Sequence, residues 1–237
     1  MDKPVNKLGI IGAEQQEVDL LLRLLENRTE FRRAALCFYD GTIHGYPVAI
    51  VKCGIGKVNA ASCAQTLIDL FGVTQIINTG AAGSLDARIN IGDIVVSEDV
   101  VQHDLDCTQL GYEPGVIPDT GMVFNADEGL RELALSTGKD ALPEITMFSG
   151  RILTGDQFIS GQEKKDWLVS QFHGLCAEME GGAIAQVCSN NGIPFLILRA
   201  ISDKADGSAT MDYPQFSRMA SIRSARLTEE LILRLEA

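Results

Sequence analysis

The sequence predicts an α/β fold in a single domain over residues 1–237, and three observations carry that expectation. Short, β-rich apolar runs alternate with segments of helical apolar spacing along the whole chain. A chain of 237 residues, 46% hydrophobic and 22% charged, is long enough to share one sizeable core and too apolar for disorder. No internal repeat, low-complexity tract or interdomain linker divides it.

Taken in order, Leu8-Gly9-Ile10-Ile11-Gly12 reads as a strand, and Val18, Leu21, Leu22 and Leu25 follow at helical spacing. Two β-rich runs, 37–42 and 48–52, flank the turn candidate His44-Gly45-Tyr46-Pro47, which predicts a hairpin. Residues 60–71 read as helix. Ile76-Ile77-Asn78, leading into Gly80-Ala81-Ala82-Gly83, and Ile94-Val95-Val96 read as strands of the buried type. The stretch 102–125 carries Gly111, Pro114, Gly115, Pro118 and Gly121, too many breakers for regular structure, and long loops of this kind are often functional. Beyond it come a helix at 129–137, a strand at 147–153, a helix at 162–172, a strand at 175–177, a helix at 182–189 and a strand at 195–201. An amphipathic helix at 213–235 closes the chain.

Charge and motifs exclude several function classes. A formal net charge of -12 works against phosphate backbones and anionic lipid, so neither nucleic acid nor membrane is an expected partner. Six cysteines without a C-x-x-C pair suit reduced, mostly buried thiols and a cytoplasmic location; no secretory leader or membrane span is expected. Gly9-Ile10-Ile11-Gly12 has the wrong spacing for a dinucleotide turn. Gly54-Ile55-Gly56-Lys57 resembles the end of a phosphate loop but lacks the first glycine, where Val51 stands, and the hydroxyl, where Val58 stands. His103-Asp104-Leu105-Asp106 offers ligand types without a complementing Cys or His cluster, so no metal is expected. There is no G-x-S-x-G elbow for acyl transfer.

What remains is a set of carboxylates. Ala177-Glu178-Met179-Glu180 and Ile201-Ser202-Asp203 place acids at the ends of apolar runs, and Glu17 sits near the first strand. Carboxylates are costly to hold against a core unless they are hydrogen-bonded or titrate, so acids at strand exits usually face a cleft. Around them stand Gly9 to Ala13, Cys53-Gly54-Ile55-Gly56-Lys57-Val58, Ile77-Asn78-Thr79-Gly80 with Ala82-Gly83, Val95-Val96-Ser97, Gly155-Asp156 with Phe158-Ile159, and Arg199-Ala200-Ile201-Ser202-Asp203 with Ala205-Asp206. In this order and spacing the chain, over nearly its whole length, resembles the 5'-methylthioadenosine/S-adenosylhomocysteine nucleosidases of the purine nucleoside phosphorylase superfamily. The resemblance and the element pattern together imply a nucleoside phosphorylase-like, three-layer α/β/α sandwich around a central mixed β-sheet.

The resemblance implies hydrolysis of the bond between adenine and a 5'-modified ribose, without a cofactor. Asp203 would be the acid at adenine N7, and Glu17 the base for the attacking water, with Arg199 and Glu178 helping to place that water. Glu180 would grip the ribose hydroxyls and favour the cationic sugar of the transition state. Met179 would pack on the sugar, Phe158 stack on the purine and the Ile159 backbone read its edge, with Ile55, Ala82, Gly83 and Ser202 completing the implied wall. Singly, each has a plainer explanation, such as a first-turn helix acid for Glu17 or a helix cap for Asp203. Together, in family order, they favour the enzyme over a non-catalytic nucleoside-binding homologue.

Four positions depart from the family pattern. Glu14 stands where Met is usual beside the 5' substituent, Ala81 replaces a frequent Ser, Leu110 an aromatic, and Tyr213 a Phe. Glu14 and Tyr213 would make the 5' pocket more polar and favour S-adenosylhomocysteine, with its ammonium group, over methylthioadenosine. Leu110, Tyr112 and Pro118 match a loop that a neighbouring subunit lends to the pocket, which implies a homodimer. Phosphorolysis and a futalosine-type nucleoside are the alternative chemistries; Glu17 beside the anomeric carbon would repel the phosphate that the first needs.

Overall fold

A computed structural model describes residues 6–235; the remaining positions of the 237-residue chain lie outside the described residues. The chain runs β1 (Leu8–Gly12), α1 (Gln15–Leu24), β2 (Glu26–Arg33), β3 (Leu36–Ile43), β4 (Tyr46–Lys52), α2 (Lys57–Phe71), β5 (Gln75–Ser84), β6 (Ile94–Gln102), β7 (Val123–Asn125), α3 (Glu128–Ala141), β8 (Met147–Thr154), α4 (Gln162–Phe172), β9 (Cys176–Glu178), α5 (Gly181–Asn191), β10 (Phe195–Asp203) and α6 (Ala209–Ile232). All ten strands join one mixed sheet.

The three layers follow from the strand sequences. Every residue of β1 and of β10 is buried, as expected for strands covered on both faces. Alternate residues enter different cores: Ile11, Val51, Ile76 and Ile197 pack with Ala60 and Leu67 of α2 and Ile184 of α5. Ile10, Ile50, Ile77 and Leu198 pack with Val18 of α1, Leu130 of α3 and Leu227 of α6. Burying each such aliphatic side chain contributes roughly 1.5–3 kcal/mol.

One feature of the sheet was not legible from periodicity: it closes on itself. β5 pairs in parallel with β1 and β10, β10 pairs antiparallel with β6, β8 bridges β6 and β9, and β9 returns to β5. β9 meets β5 antiparallel and only at Gly83 and Ser84, the C-terminal end of β5. Strands of opposite sense therefore bring their C-terminal ends together, and the site is built there.

The predicted hairpin is β3–β4, but its turn is only His44 and Gly45, both at positive φ (51° and 82°), while Tyr46 and Pro47 already belong to β4. β2 escaped the sequence reading because all its residues are exposed; it is a charged edge strand held to β3 by its backbone. The stretch 102–125 is less irregular than expected, with a 3-10 turn at Thr108–Leu110 and β7 pairing with β6. α6 starts at Ala209, four residues before the predicted start, and carries Pro214 inside the helix. Cys53, Cys63, Cys176 and Cys188 are buried, Cys37 and Cys107 partly exposed, and all six are free thiols. No described helix is long and apolar enough to cross a membrane.

Candidate active site

A cavity of about 340 Å³ opens where the strand ends converge. α1 and the turn before it bring Glu14 and Glu17 to its wall, the end of β5 brings Ala82 and Gly83, and the segment after β4 brings Ile55. Phe158 and Ile159 arrive from beyond β8, Glu178, Met179 and Glu180 from β9 and its exit, Ser202 and Asp203 from the end of β10, and Tyr213 from α6. Thirteen of the seventeen residues singled out in the sequence are thus on one wall; the other four, Arg199, Leu110, Tyr112 and Pro118, are not. Ala13, Ala81 and Ala177, which the sequence named only as parts of motifs or as a departure, also line the wall, and Gln157 joins it unannounced.

The turn after β1 wraps a carboxylate in amides. Glu17 Oε2 accepts from the Ala13 and Glu14 N–H groups at 2.6 and 3.0 Å, and Oε1 from the Ala81 N–H at 3.0 Å. Burial nonetheless raises its pKa, against the opposing pull of Arg199 and these three amides. A Cβ at Gly80 would stand 2.7 Å from Glu17 Oε1, and one at Gly83 2.7 Å from Asp203 Oδ1. The glycines of the 80–83 run are therefore what lets two acids approach the β5 backbone.

Asp203 ends β10 where its register with β5 shifts, and Ala205 just beyond adopts φ 51°. Its Oδ1 accepts from the Ala205 N–H at 2.8 Å and its Oδ2 from the Ser202 hydroxyl at 2.9 Å. Burial raises its pKa, and Asp212 and Asp206 add to the shift. Glu180 accepts from the Gly56 N–H at 2.9 Å, and burial with the neighbouring Glu178 charge pushes it up to about 8. Both wall carboxylates thus hold protons more tightly than free ones, Asp203 beside the hydroxyl of Ser202.

Glu178 differs from them. It takes the Glu180 and Gly181 N–H groups at the start of α5 at 3.1 and 2.7 Å, the Thr154 hydroxyl, and Arg199 Nη2. Arg199 is 1% exposed and stands behind the wall, bonded to Glu178 and Asn78 and 3.8 Å from Glu180. Arg199 therefore acts on the cavity through the carboxylates that line it. Lys57 is spent elsewhere: its Nζ bonds Asp104 at 2.6 Å, so Asp104 of the rejected ligand-like string is an ion-pair partner. Among the described residues no group of His, Cys, Asp and Glu is arranged to hold a metal ion.

The two departures from the family pattern at Glu14 and Tyr213 meet: the Tyr213 hydroxyl donates to Glu14 Oε2 at 2.6 Å. Burial and that carboxylate raise the Tyr213 pKa, so the phenol keeps its proton. The Phe158 ring packs edge-on against Tyr213 with centroids 5.6 Å apart and is itself 48% exposed. Leu110 and Tyr112 lie on the outer surface, Leu110 74% exposed.

A pocket whose wall carries two carboxyls with raised proton affinity, a third gripped by amides and, among the described residues, no cation suits departure of a basic leaving group from a sugar that becomes cationic. Comparison with known proteins agrees with that chemistry. Residues 7–233 match the model of the phosphorylase superfamily. A 5'-methylthioadenosine/S-adenosylhomocysteine nucleosidase from Halalkalibacterium halodurans is 43% identical over 232 residues, covering 98% of this chain and 100% of the relative. The chain belongs to this nucleosidase family of the phosphorylase superfamily. Among solved structures of the superfamily, the S-adenosylhomocysteine nucleosidase of Streptococcus pyogenes in complex with 5-methylthiotubericidin superposes with a TM-score of 0.95 at 33% identity, covering 100% of both chains. The futalosine hydrolase of Helicobacter pylori superposes with a TM-score of 0.93 at 33% identity over 98% of this chain and 99% of that one.

Proposed function

We propose that this nucleosidase-family enzyme hydrolyses the N-glycosidic bond of 5'-methylthioadenosine and S-adenosylhomocysteine, and of 5'-deoxyadenosine, releasing adenine and the 5'-modified ribose. The observation that carries the reading is the pairing of a buried, proton-retaining Asp203 with an amide-wrapped Glu17 on one cavity wall.

Asp203 donates its proton to adenine N7, so the base departs neutral and the ribose is left as an oxocarbenium-like cation. The positive sugar lowers the proton affinity of Glu17 and Glu180 as it forms, so both carboxylates stabilise the transition state more than the ground state. Glu17 then takes a proton from the attacking water, while Glu180 holds the ribose hydroxyls. Arg199 and Glu178 support this pair, Met179 packs on the sugar, Phe158 stacks on the purine, and Ile159, Ala82, Gly83, Ile55 and Ser202 shape the wall. Water is favoured over phosphate as nucleophile because Lys57 is bound to Asp104 and Arg199 lies behind carboxylates that would repel an anion. The test is adenine release by the purified chain from methylthioadenosine and S-adenosylhomocysteine; release from neither would overturn the reading.

The 5' substituent meets Glu14 and Tyr213. A carboxylate there attracts the ammonium of S-adenosylhomocysteine and is a poor neighbour for the methylthio group. Glu14→Met is expected to shift the ratio of kcat/KM values toward methylthioadenosine by about 10-fold, the order of one modest charge contact. An unchanged ratio would remove Glu14 as the cause. The same polar pair is the specific reason to try a futalosine-type nucleoside in the adenine assay as the second reading.

The enzyme acts as a homodimer in the cytoplasm, with the segment from Leu110 to Pro118 completing the neighbour's site. The exposed Leu110 and Tyr112 support the first statement and six free thiols the second. Sedimentation at micromolar concentration is expected to give a dimer for the native chain and a lighter species for Leu110→Glu with Tyr112→Glu; a native monomer would contradict it.

A further inference from the structure

Asn78 is wholly buried on β5, is not among the residues that line the cavity, and has both ends of its amide engaged. Its Nδ2 donates to the Ile11 carbonyl of β1 at 2.8 Å, and its Oδ1 accepts from Arg199 Nη2 at 2.5 Å. Arg199 Nη1 reaches the Leu198 and Asn78 carbonyls at 3.0 and 3.4 Å, and its Nε has no partner. The guanidinium is thus aimed by neutral oxygens on one side and faces acids on the other.

Those acids outnumber it. Glu178 bonds Nη2, Glu180 stands 3.8 Å away, and Glu17 Oε1 and Arg199 Nη1 both flank Gly80, within 2.7 and 3.3 Å of where its Cβ would be. Cys53 and Tyr213 add no charge here, because burial and the nearby Glu17 and Glu180 raise both their pKa values and keep them protonated. One cation therefore serves three carboxylates, and a fourth charge at its back would divide it further.

We infer that Asn78 is a positioning residue for hydrolysis: its amide fixes the direction of Arg199 without adding charge, leaving the single positive charge to Glu17, Glu178 and Glu180. An Asp has the same size and would bind Arg199 more strongly, but it would set an oxygen against the Ile11 carbonyl and draw that charge away from the acids. The inference rests on the reading of Glu17 as the base.

The test is the pH profile of kcat/KM for Asn78→Asp and Asn78→Ala. Asn78→Asp is expected to move the acidic limb, where the base protonates, upward by about half to one pH unit and to lower kcat at neutral pH about 10-fold with KM changed less than about 2-fold. Asn78→Ala, which adds no charge, is expected to lower kcat comparably and leave the limb where it was. If Asn78→Asp does not fold, the fall in kcat without a rise in KM in Asn78→Ala carries the test. A limb at its native place in folded Asn78→Asp, or native kcat in Asn78→Ala, would overturn the inference and assign Asn78 to stability alone. Glu17→Gln, measured alongside, separates the two failures, because native turnover in that variant would sink the base assignment itself.

Discussion

Asp203→Asn is expected to lower adenine release by about 10²–10⁴-fold, the usual weight of a general acid, with the fold preserved. An amide is isosteric with the carboxyl and can still accept from the Ala205 N–H or the Ser202 hydroxyl, but it has no proton to give to a leaving base. The stability change should run the other way. The raised pKa of Asp203 means that the folded chain binds this proton more tightly than the unfolded one, so its stabilising contribution is complete below the ordinary Asp value of 3.8 and is lost as pH rises through the raised value. Wherever Asp203 does ionise, its buried charge is a burden on the fold that Asn removes. The melting temperature of Asp203→Asn should match or exceed the native one near neutral pH, with the difference shrinking toward pH 4. Near-native turnover in this variant would mean that the acid has been misassigned.

The second large effect is expected at Glu17. Glu17→Gln should reduce kcat by about 10²–10⁴-fold with a smaller change in KM, because a base acts on the water rather than on binding of the nucleoside. Here a cost in stability comes with it. Glu17 accepts three amide donors through two oxygens, whereas Gln offers one oxygen and turns an NH2 toward either the Ala81 N–H or the Ala13 and Glu14 pair. Leaving a buried donor unsatisfied costs about 1–3 kcal/mol, so a lower melting temperature is expected beside the loss of rate. Steady-state kinetics with a thermal melt on the same sample reads both, and retention of native kcat would exclude Glu17 as the base.

Much of this site could be read from the chain because its chemistry sits on short local signals. Asp203 stands at the end of β10, Glu180 just past β9 and Glu17 in the first turn of the helix after β1, and Gly80 and Gly83 mark where side chains must be absent for Glu17 and Asp203 to approach. The hairpin at His44-Gly45 and the apolar runs that open β1 and β10 are local in the same sense. What escaped either lacks an apolar signal or depends on pairings distant in sequence. β2 has no apolar face, so only its backbone bonds to β3 reveal it. Closure of the sheet through β9 rests on two residues of β5, a contact without periodic signature. The Glu14–Tyr213 bond joins positions 199 residues apart, and the Asn78–Arg199 bond positions 121 apart. Asn78 in a buried strand reads in isolation as a polar interruption; its function appears only when β10 is laid beside β5. For Arg199 the resemblance implied help in placing the attacking water, and in the fold its guanidinium stands behind the wall, bonded to Glu178.

Water activated at Glu17 replaces adenine on the sugar, and the sugar formed from methylthioadenosine with and without inorganic phosphate reads that step. Free methylthioribose and adenine are expected in equal amounts at a rate independent of phosphate. Methylthioribose 1-phosphate, formed only when phosphate is supplied, would contradict it.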